Sequence, residues 1–244
     1  MYKLIFLIFT LLLSHYNQSY ATSAKQWLQK ADAFRLSADS SRVNVFVDLY
    51  KNGQLIRSRE YLVYSKPGRR SLVLFKSEDQ LGQKVLMIKD DFHLFLAKSK
   101  RAIRITPMQK LLGDASTGDI ANMTWHEDYN AELKETSLFE NKPAHILELQ
   151  AKHAFSTYTR ILLFVDKTTG QPLHAKLFLQ SGKLAKEAYY HIGSINQQPL
   201  VTGMTLLDSI NPTQVTRIRY TAIEQTQFPD KFFNVQYLLR NPVE

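Results

Sequence analysis

Cysteine is missing altogether from the 244 residues. That excludes a disulfide scaffold, a thiolate nucleophile, a cysteine zinc site, an iron–sulfur cluster and a lipid-modified N-terminal cysteine. Glycine is scarce: 9 residues against 14 Phe and 12 Tyr, a balance that leans toward β structure with extensive apolar walls. The signatures of covalent and nucleotide chemistry are absent too. There is no Gly-x-Ser-x-Gly elbow, no Ser-x-x-Lys, no Gly-x-Gly-x-x-Gly and no P-loop. His93, His126, His145, His153, His174 and His191 never pair at the i+2 or i+4 spacing of a metal site. Without a nucleophile–base motif, an enzyme is not expected. No cofactor is expected either.

Long apolar runs are also lacking, except at the start. Met1-Tyr2-Lys3 is followed by Leu4–Leu13, apolar but for Thr10, and Ser19-Tyr20-Ala21 ends in small-x-small form. The run is about half the roughly 20 residues that span a bilayer. It has the form of a secretory signal peptide over 1–21, cleaved after Ala21, with 22–244 as the exported domain. Export to the periplasm fits a chain free of cysteine, which an oxidising compartment leaves unchanged.

Hydrophobic residues make up 44% and charged ones 22%, enough apolar surface for a core and against disorder. Thr22–Phe34 carries Trp27, Leu28, Ala31 and Phe34 at helical spacing. Strands then dominate. Val43, Val45, Val47 and Leu49 alternate up to the Asn52-Gly53 turn, Leu55–Ser65 returns, and Lys66-Pro67-Gly68 ends that strand. Short strands follow at Ser71–Phe75, Val85–Lys89, Phe92–Ala97 and Ile103–Thr106. Pro107–Leu112, behind an N1-type proline and ahead of Gly113, predicts a helix, with further helical turns in Gly118–Trp125. From Ala144 six more strands run to Glu224, with turns at Thr169-Gly170, Ser181-Gly182 and Asn211-Pro212, and Phe232–Leu239 closes the chain. One mainly β (α+β), antiparallel domain of roughly ten or eleven strands accounts for the pattern.

Several strands are apolar on both sides: Tyr158, Leu162 and Phe164 oppose Ile161, Leu163 and Val165. Either both faces are covered, or one lines an apolar cavity. Asp114 and Asp119 suit helix caps better than a catalytic carboxylate pair, and His126-Glu127-Asp128 suits a solvated turn. The formal charge is +9. Basic residues gather at Lys66, Arg69 and Arg70, and at Lys98, Lys100, Arg101 and Arg104. For an exported protein such clusters fit solubility, a membrane surface or an acidic partner, not nucleic acid.

Lys89-Asp90-Asp91-Phe92-His93-Leu94-Phe95-Leu96, continued by Arg101 to Ile120 with its Thr106-Pro107-Met108 and Leu111-Leu112-Gly113-Asp114, resembles the LolA-like group of outer-membrane lipoprotein-sorting proteins. Leu147-x-Leu149-x-Ala151-Lys152 and the Ser181-Gly182-Lys183 turn match the same group. The resemblance implies an unclosed antiparallel β half-barrel with helices over its concave face, and a cavity that accepts acyl chains of lipoproteins or lipids. It implies a periplasmic carrier, with an RND-type (MMPL-like) inner-membrane exporter as partner. The alternative is an RseB-like sensor or adaptor that binds lipid or protein without transporting it. Pro107–Leu112 then becomes a lid with Met108, Leu111 and Leu112 facing the cavity. Phe46, Tyr64, Leu74, Met87, Phe95, Leu163 and Phe178 become wall candidates, and Lys66, where the carriers usually have arginine, a lid latch.

Overall fold

The computed structural model describes residues 24–35, 40–121, 124–195, 197–209, 213–241 and 243. The expected signal peptide lies outside them. Among the described residues no helix is long and apolar enough to cross a membrane.

A helix α1 runs through residues 24–33. The strands are β1 (Ser41–Lys51), β2 (Gln54–Lys66), β3 (Arg70–Phe75), β4 (Lys84–Ile88), β5 (Asp91–Phe95), β6 (Ala102–Ile105), β7 (Lys110–Leu112), β8 (Ala115–Ser116), β9 (Tyr129–Phe139), β10 (Lys142–Ala151), β11 (Arg160–Asp166), β12 (Pro172–Phe178), β13 (Leu184–Ile195), β14 (Gln198–Asp208) and β15 (Gln214–Gln225). Short helices α2 (Thr117–Ala121) and α3 (Val235–Arg240) complete the set. Thirteen strands form one open antiparallel sheet, ordered β6-β5-β4-β3-β2-β1-β15-β14-β13-β12-β11-β10-β9, and β7-β8 is a separate ribbon. Tight hairpins fix the register. Asn52 and Gly53, with φ of 51° and 77°, make the two-residue turn with both φ positive that suits the twist of the flanking β1 and β2.

The order has one decisive consequence. β1 pairs with β15, so the beginning and end of the sheet's sequence meet in its middle. The free edges are β6 and β9, and the chain between them must cross from one edge to the other. It does so over the concave face, and this connection (106–128) carries β7, β8 and α2. Its Leu111, Leu112, Ile120 and Trp125 join Val43, Val45, Val47, Tyr61, Leu147, Ile161 and Leu163 of the strands, and Ala24, Leu28 and Ala31 of α1, in one core.

The alternate side chains of β2–β5 point outward into a second core. Leu62, Tyr64, Leu72, Leu74, Leu86 and Phe95 are covered there by Phe228, Phe233 and Leu238 of the C-terminal stretch. Of the two explanations for strands apolar on both sides, coverage of both faces holds for this half of the sheet.

Two expectations are corrected. Pro107–Leu112 is not a helix: Pro107 and Met108 form a turn and Lys110–Leu112 is β7, paired with β8. Helical propensity in so short a run is weak, and pairing of Lys110 and Leu112 with Ser116 and Ala115 overrides it. Its Leu111 carbonyl instead accepts from Arg59 Nη1 at 2.6 Å. The strand count is also higher than ten or eleven. β9 escapes the pattern because its middle, residues 134–137, is polar and exposed, the charged character that protects an edge strand.

β14 and β15 lie so close at Gly203 that a Cβ there would come within 2.3 Å of the Ile218 carbonyl oxygen. Gly203→Ala is therefore expected to destabilise the fold by about 1–3 kcal/mol. Urea unfolding should show a lower midpoint with an unchanged slope; an unshifted midpoint would contradict the close approach.

Candidate functional site

Charged side chains of the sheet and of α1 make fastenings to the connection over the concave face, among them those of Lys186, Asp32, Arg69 and Arg59. The deepest is Asp119, the third residue of α2. Its carboxylate accepts from the Ser116 amide at 2.7 Å and the Ser116 hydroxyl at 2.8 Å, the return half of a helix cap. It also accepts from Tyr158 Oη at 2.7 Å and from Lys186 Nζ of β13 at 2.8 Å. Lys186 donates to the Asp114 carbonyl as well. Both charged side chains are almost fully buried. Burial would raise the Asp119 pKa, but the charge and hydrogen bond of Lys186, with Tyr158 and Ser116, hold it below the usual carboxylate value.

The second fastening is Asp32 of α1, whose carboxylate accepts from the amides of Trp125 at 2.8 Å and His126 at 2.7 Å, and meets His126 Nδ1 at 2.8 Å. That hydrogen bond raises the His126 pKa. The third is Arg69, in the β2–β3 turn with φ of 58°, which bridges Asp90 at 2.7 Å and the buried Asp128 just before β9. Arg69 thereby ties the β2–β5 half of the sheet to the far edge. The fourth is the bond from Arg59 to Leu111 described above.

Beneath the connection the interior is nearly full. A cavity of about 40 Å³ remains, lined by Arg35, Trp125, Tyr129, Tyr158 and Tyr190. Arg35 closes it, its guanidinium 4.0 Å from the centre of the Trp125 ring. The open space lies at the mouth instead. A groove of about 630 Å³ runs between the β6 edge and the first residues of the connection (Ile105, Pro107, Met108) and the β10–β11 and β12–β13 loops (Phe155, Thr157, Leu179). Phe155 is 61% exposed at its rim. The volume falls within the roughly 300–1,000 Å³ range of small-molecule sites.

The expected site residues divide sharply. Met108 alone lines the groove. Leu111, Leu112, Met87 and Leu163 are buried in the concave core, under or within the connection. Tyr64, Leu74 and Phe95 face the opposite side, beneath the C-terminal stretch. Phe46 and Phe178 are also on that convex face, capped by Arg219 at 5.2 Å and Arg160 at 3.7 Å. These five therefore cannot line a concave cavity, since period two sends them outward. Lys66 does not latch the connection. It pairs with Asp230 at 2.7 Å and holds the C-terminal stretch, together with Arg70 at 3.2 Å.

The fastening residues Lys186, Tyr158, Asp32 and Arg69 were missed, although Lys186 shares the inward parity of Ala188 and Tyr190. Asp119 does cap a helix as expected, but it is also half of an ion pair. Among the described residues no group of His, Asp and Glu is placed to hold a metal.

Lys186→Met strands a buried carboxylate and is expected to cost about 3–5 kcal/mol, part of which Lys186→Met/Asp119→Asn should restore. Because the folded Asp119 pKa is depressed, its stabilisation is complete above the unfolded carboxylate pKa and is lost as pH falls through the folded value. Urea midpoints of wild type and both variants, from neutral pH downward, check this; a single variant as stable as wild type would remove the pin.

No curated protein matches the chain in sequence. Residues 68–240 match a family model described as "Uncharacterized protein". Among solved structures, a LolA superfamily protein from Nitrosomonas europaea is 28% identical, covers 88% of this chain and 98% of its own, and superposes with a TM-score of 0.81. A DUF1329 family protein from Desulfovibrio piger shares the fold at 21% identity, with a TM-score of 0.74 over 90% of this chain and 99% of its own. So does a domain described as outer membrane lipoprotein-sorting from Vibrio parahaemolyticus, at 19% identity and a TM-score of 0.73 over 90% and 100%. The match over residues 68–240 places this chain in the family that model describes, and its open antiparallel half-barrel, crossed on its concave face, is the fold of the LolA superfamily protein from Nitrosomonas europaea.

Proposed function

We propose that the protein is a periplasmic carrier that binds acyl chains of lipoproteins or lipids and takes part in their traffic to the outer membrane. The observation that carries this reading is the 630 Å³ groove, walled by Ile105, Pro107, Met108, Phe155 and Leu179 at the open mouth of the half-barrel. Each methylene withdrawn from water there contributes about 0.8 kcal/mol, so about ten would give roughly 8 kcal/mol before ordering costs. Thr106, Ser156 and Thr157 at the same mouth offer hydroxyls to a polar headgroup. Function consists of binding and release, without bond chemistry. The partner in this proposal is an inner-membrane exporter of the RND (MMPL-like) type, and the cleaved signal peptide delivers the chain to it; both rest on the family resemblance.

Native mass spectrometry of protein purified from a membrane-containing lysate should find an acylated species at about one per chain. A fluorescent fatty-acyl probe should bind saturably to delipidated protein. Met108→Arg places a charge in the groove and should weaken that binding at least ten-fold while the melting temperature holds. Met108 is the position to test because Leu111 lies in the core, where a charge would unfold the protein. Wild-type affinity in Met108→Arg would sink the groove assignment. Bound lipid that never transfers to acceptor vesicles would favour the RseB-like sensor or adaptor instead.

A further inference from the structure

We propose that the convex face, opposite the acyl groove, carries a second binding site that takes a phosphate group. It sits where the sheet forks. β14 pairs with β15 only over Gly203–Leu207 and Val215–Arg219. From Tyr220 onward β15 pairs with β1, while the beginning of β14 pairs with β13. The Val201 amide bonds neither neighbour's edge at the fork and donates to the Phe34 carbonyl at 2.6 Å. On the outer side of this fork lies a groove of about 460 Å³. His191, Thr202 and Thr205 form one wall, and Arg217, Arg219 and Thr221 the other. Ile218 and Tyr220 of the same strand belong to the inner core, so the two arginines point outward by the period of the strand.

The electrostatics of the groove are unbalanced. Its nearby acid, the buried Asp48, is fully used: one oxygen accepts from Ser58 Oγ at 2.6 Å and the other from Arg219 Nε at 2.8 Å. Arg219 is thus neutralised and rests over the Phe46 ring. Arg217 stands over the Tyr50 ring, its guanidinium 4.7 Å from the centroid, and its side chain has no ion pair or hydrogen bond among the described residues. Across the groove the His191 Nε2 meets Thr205 Oγ1 at 2.8 Å. Burial and the Arg217 charge both lower the His191 pKa, so the uncompensated cation is felt at the opposite wall.

A planar guanidinium fork held by an aromatic ring, facing hydroxyls and an imidazole, is suited to an oxyanion with several acceptor oxygens. The volume exceeds that of a bare ion and leaves room for a glycerol-sized substituent. A phosphate ester therefore fits better than a small inorganic anion. Its source is either the headgroup of an anionic phospholipid or a soluble phosphate ester.

The test uses the full chain with its histidines observed by NMR. Glycerol 1-phosphate is titrated in, and retention by phosphatidylglycerol vesicles is compared with phosphatidylcholine vesicles. Binding should shift the His191 resonances saturably and raise its pKa, because the anion offsets Arg217. Arg217→Met keeps the contact with Tyr50 and should weaken binding at least ten-fold. Thr205→Val should weaken it less. Lys100→Met, which removes the same charge from the β5–β6 turn, should leave it unchanged. Saturation by glycerol 1-phosphate identifies a soluble ester; retention by phosphatidylglycerol vesicles alone, lost in Arg217→Met, identifies a lipid headgroup. Either outcome supports the site. Equal weakening by Arg217→Met and Lys100→Met would reduce it to bulk charge and overturn it, as would absence of binding in both arms. Acyl-probe binding at Met108 is independent of either result.

Discussion

A lysine and an aspartate facing each other inside an apolar shell are the constraint on which the concave face depends. Lys186 and Asp119 are almost fully buried, and neither could remain charged there without the other. The pair joins α2, in the connection, to β13, in the far half of the sheet. Asp32, Arg69 and Arg59 repeat the device at other points. Each uses a charged group from the sheet or from α1 to hold backbone or acid of the connection. A segment with little helix or strand of its own thus acquires one position. Buried polar groups of this kind contribute more to uniqueness than to net stability, since an apolar replacement of the same shape can be neutral.

The topology explains why such a segment exists. Pairing β1 with β15 puts the sheet's first and last strands at a seam in its middle and leaves β6 and β9 as edges. An open sheet with two free edges must protect them and cover its concave side. The connection between the edges covers the concave side, and α1 completes the cover. The C-terminal stretch covers the convex side of β2–β5, held by Lys66 and Arg70 on Asp230 and by Lys84, which donates to the Leu238 carbonyl at 3.0 Å at the end of α3. The other half of the convex face lacks that stretch, and there the strands carry arginines laid over aromatic rings and a cluster of Phe139, Phe164, His174 and Tyr189. The two proposed sites follow this division: the acyl groove at the concave mouth, the phosphate groove on that other convex half.

Much of the fold was legible in the sequence because hydrophobic period and turn chemistry are local. Val43, Val45 and Val47 with Asn52-Gly53 define β1 and its hairpin without any distant contact. β9 was not legible, since an edge strand is selected for charge and not for alternation. Pro107–Leu112 misled because a proline start and glycine stop describe a helix only if the residues between can supply the hydrogen bonds. Here the Leu111 carbonyl goes to Arg59, 52 residues away. The wall residues failed for a different reason. Strand parity divides Leu163 from Phe164 but does not say which face is inside, and in β2–β5 both faces are buried. Lys66 and Arg69 stand three residues apart in one basic cluster. Only the twist of the turn, with Arg69 at positive φ, sends one to the C-terminal stretch and the other to Asp128.

The small interior cavity and the larger mouth together bear on how deeply a ligand can go. Lifting the connection would return Lys186 and Asp119 to water, and rehydration would repay most of their lost attraction. The larger cost is apolar: Leu111, Leu112 and Ile120 would leave the core, at about 1.5–3 kcal/mol each, or roughly 5–9 kcal/mol together. An acyl chain replacing them recovers about 0.8 kcal/mol per methylene, so about six to eleven methylenes beyond those already in the mouth are needed to break even. In the proposed carrier, short chains would occupy only the groove and long chains would exchange with the connection itself. In that proposal the ion pair would act less as a brake than as a register mark, returning the connection to one closed position when the ligand departs.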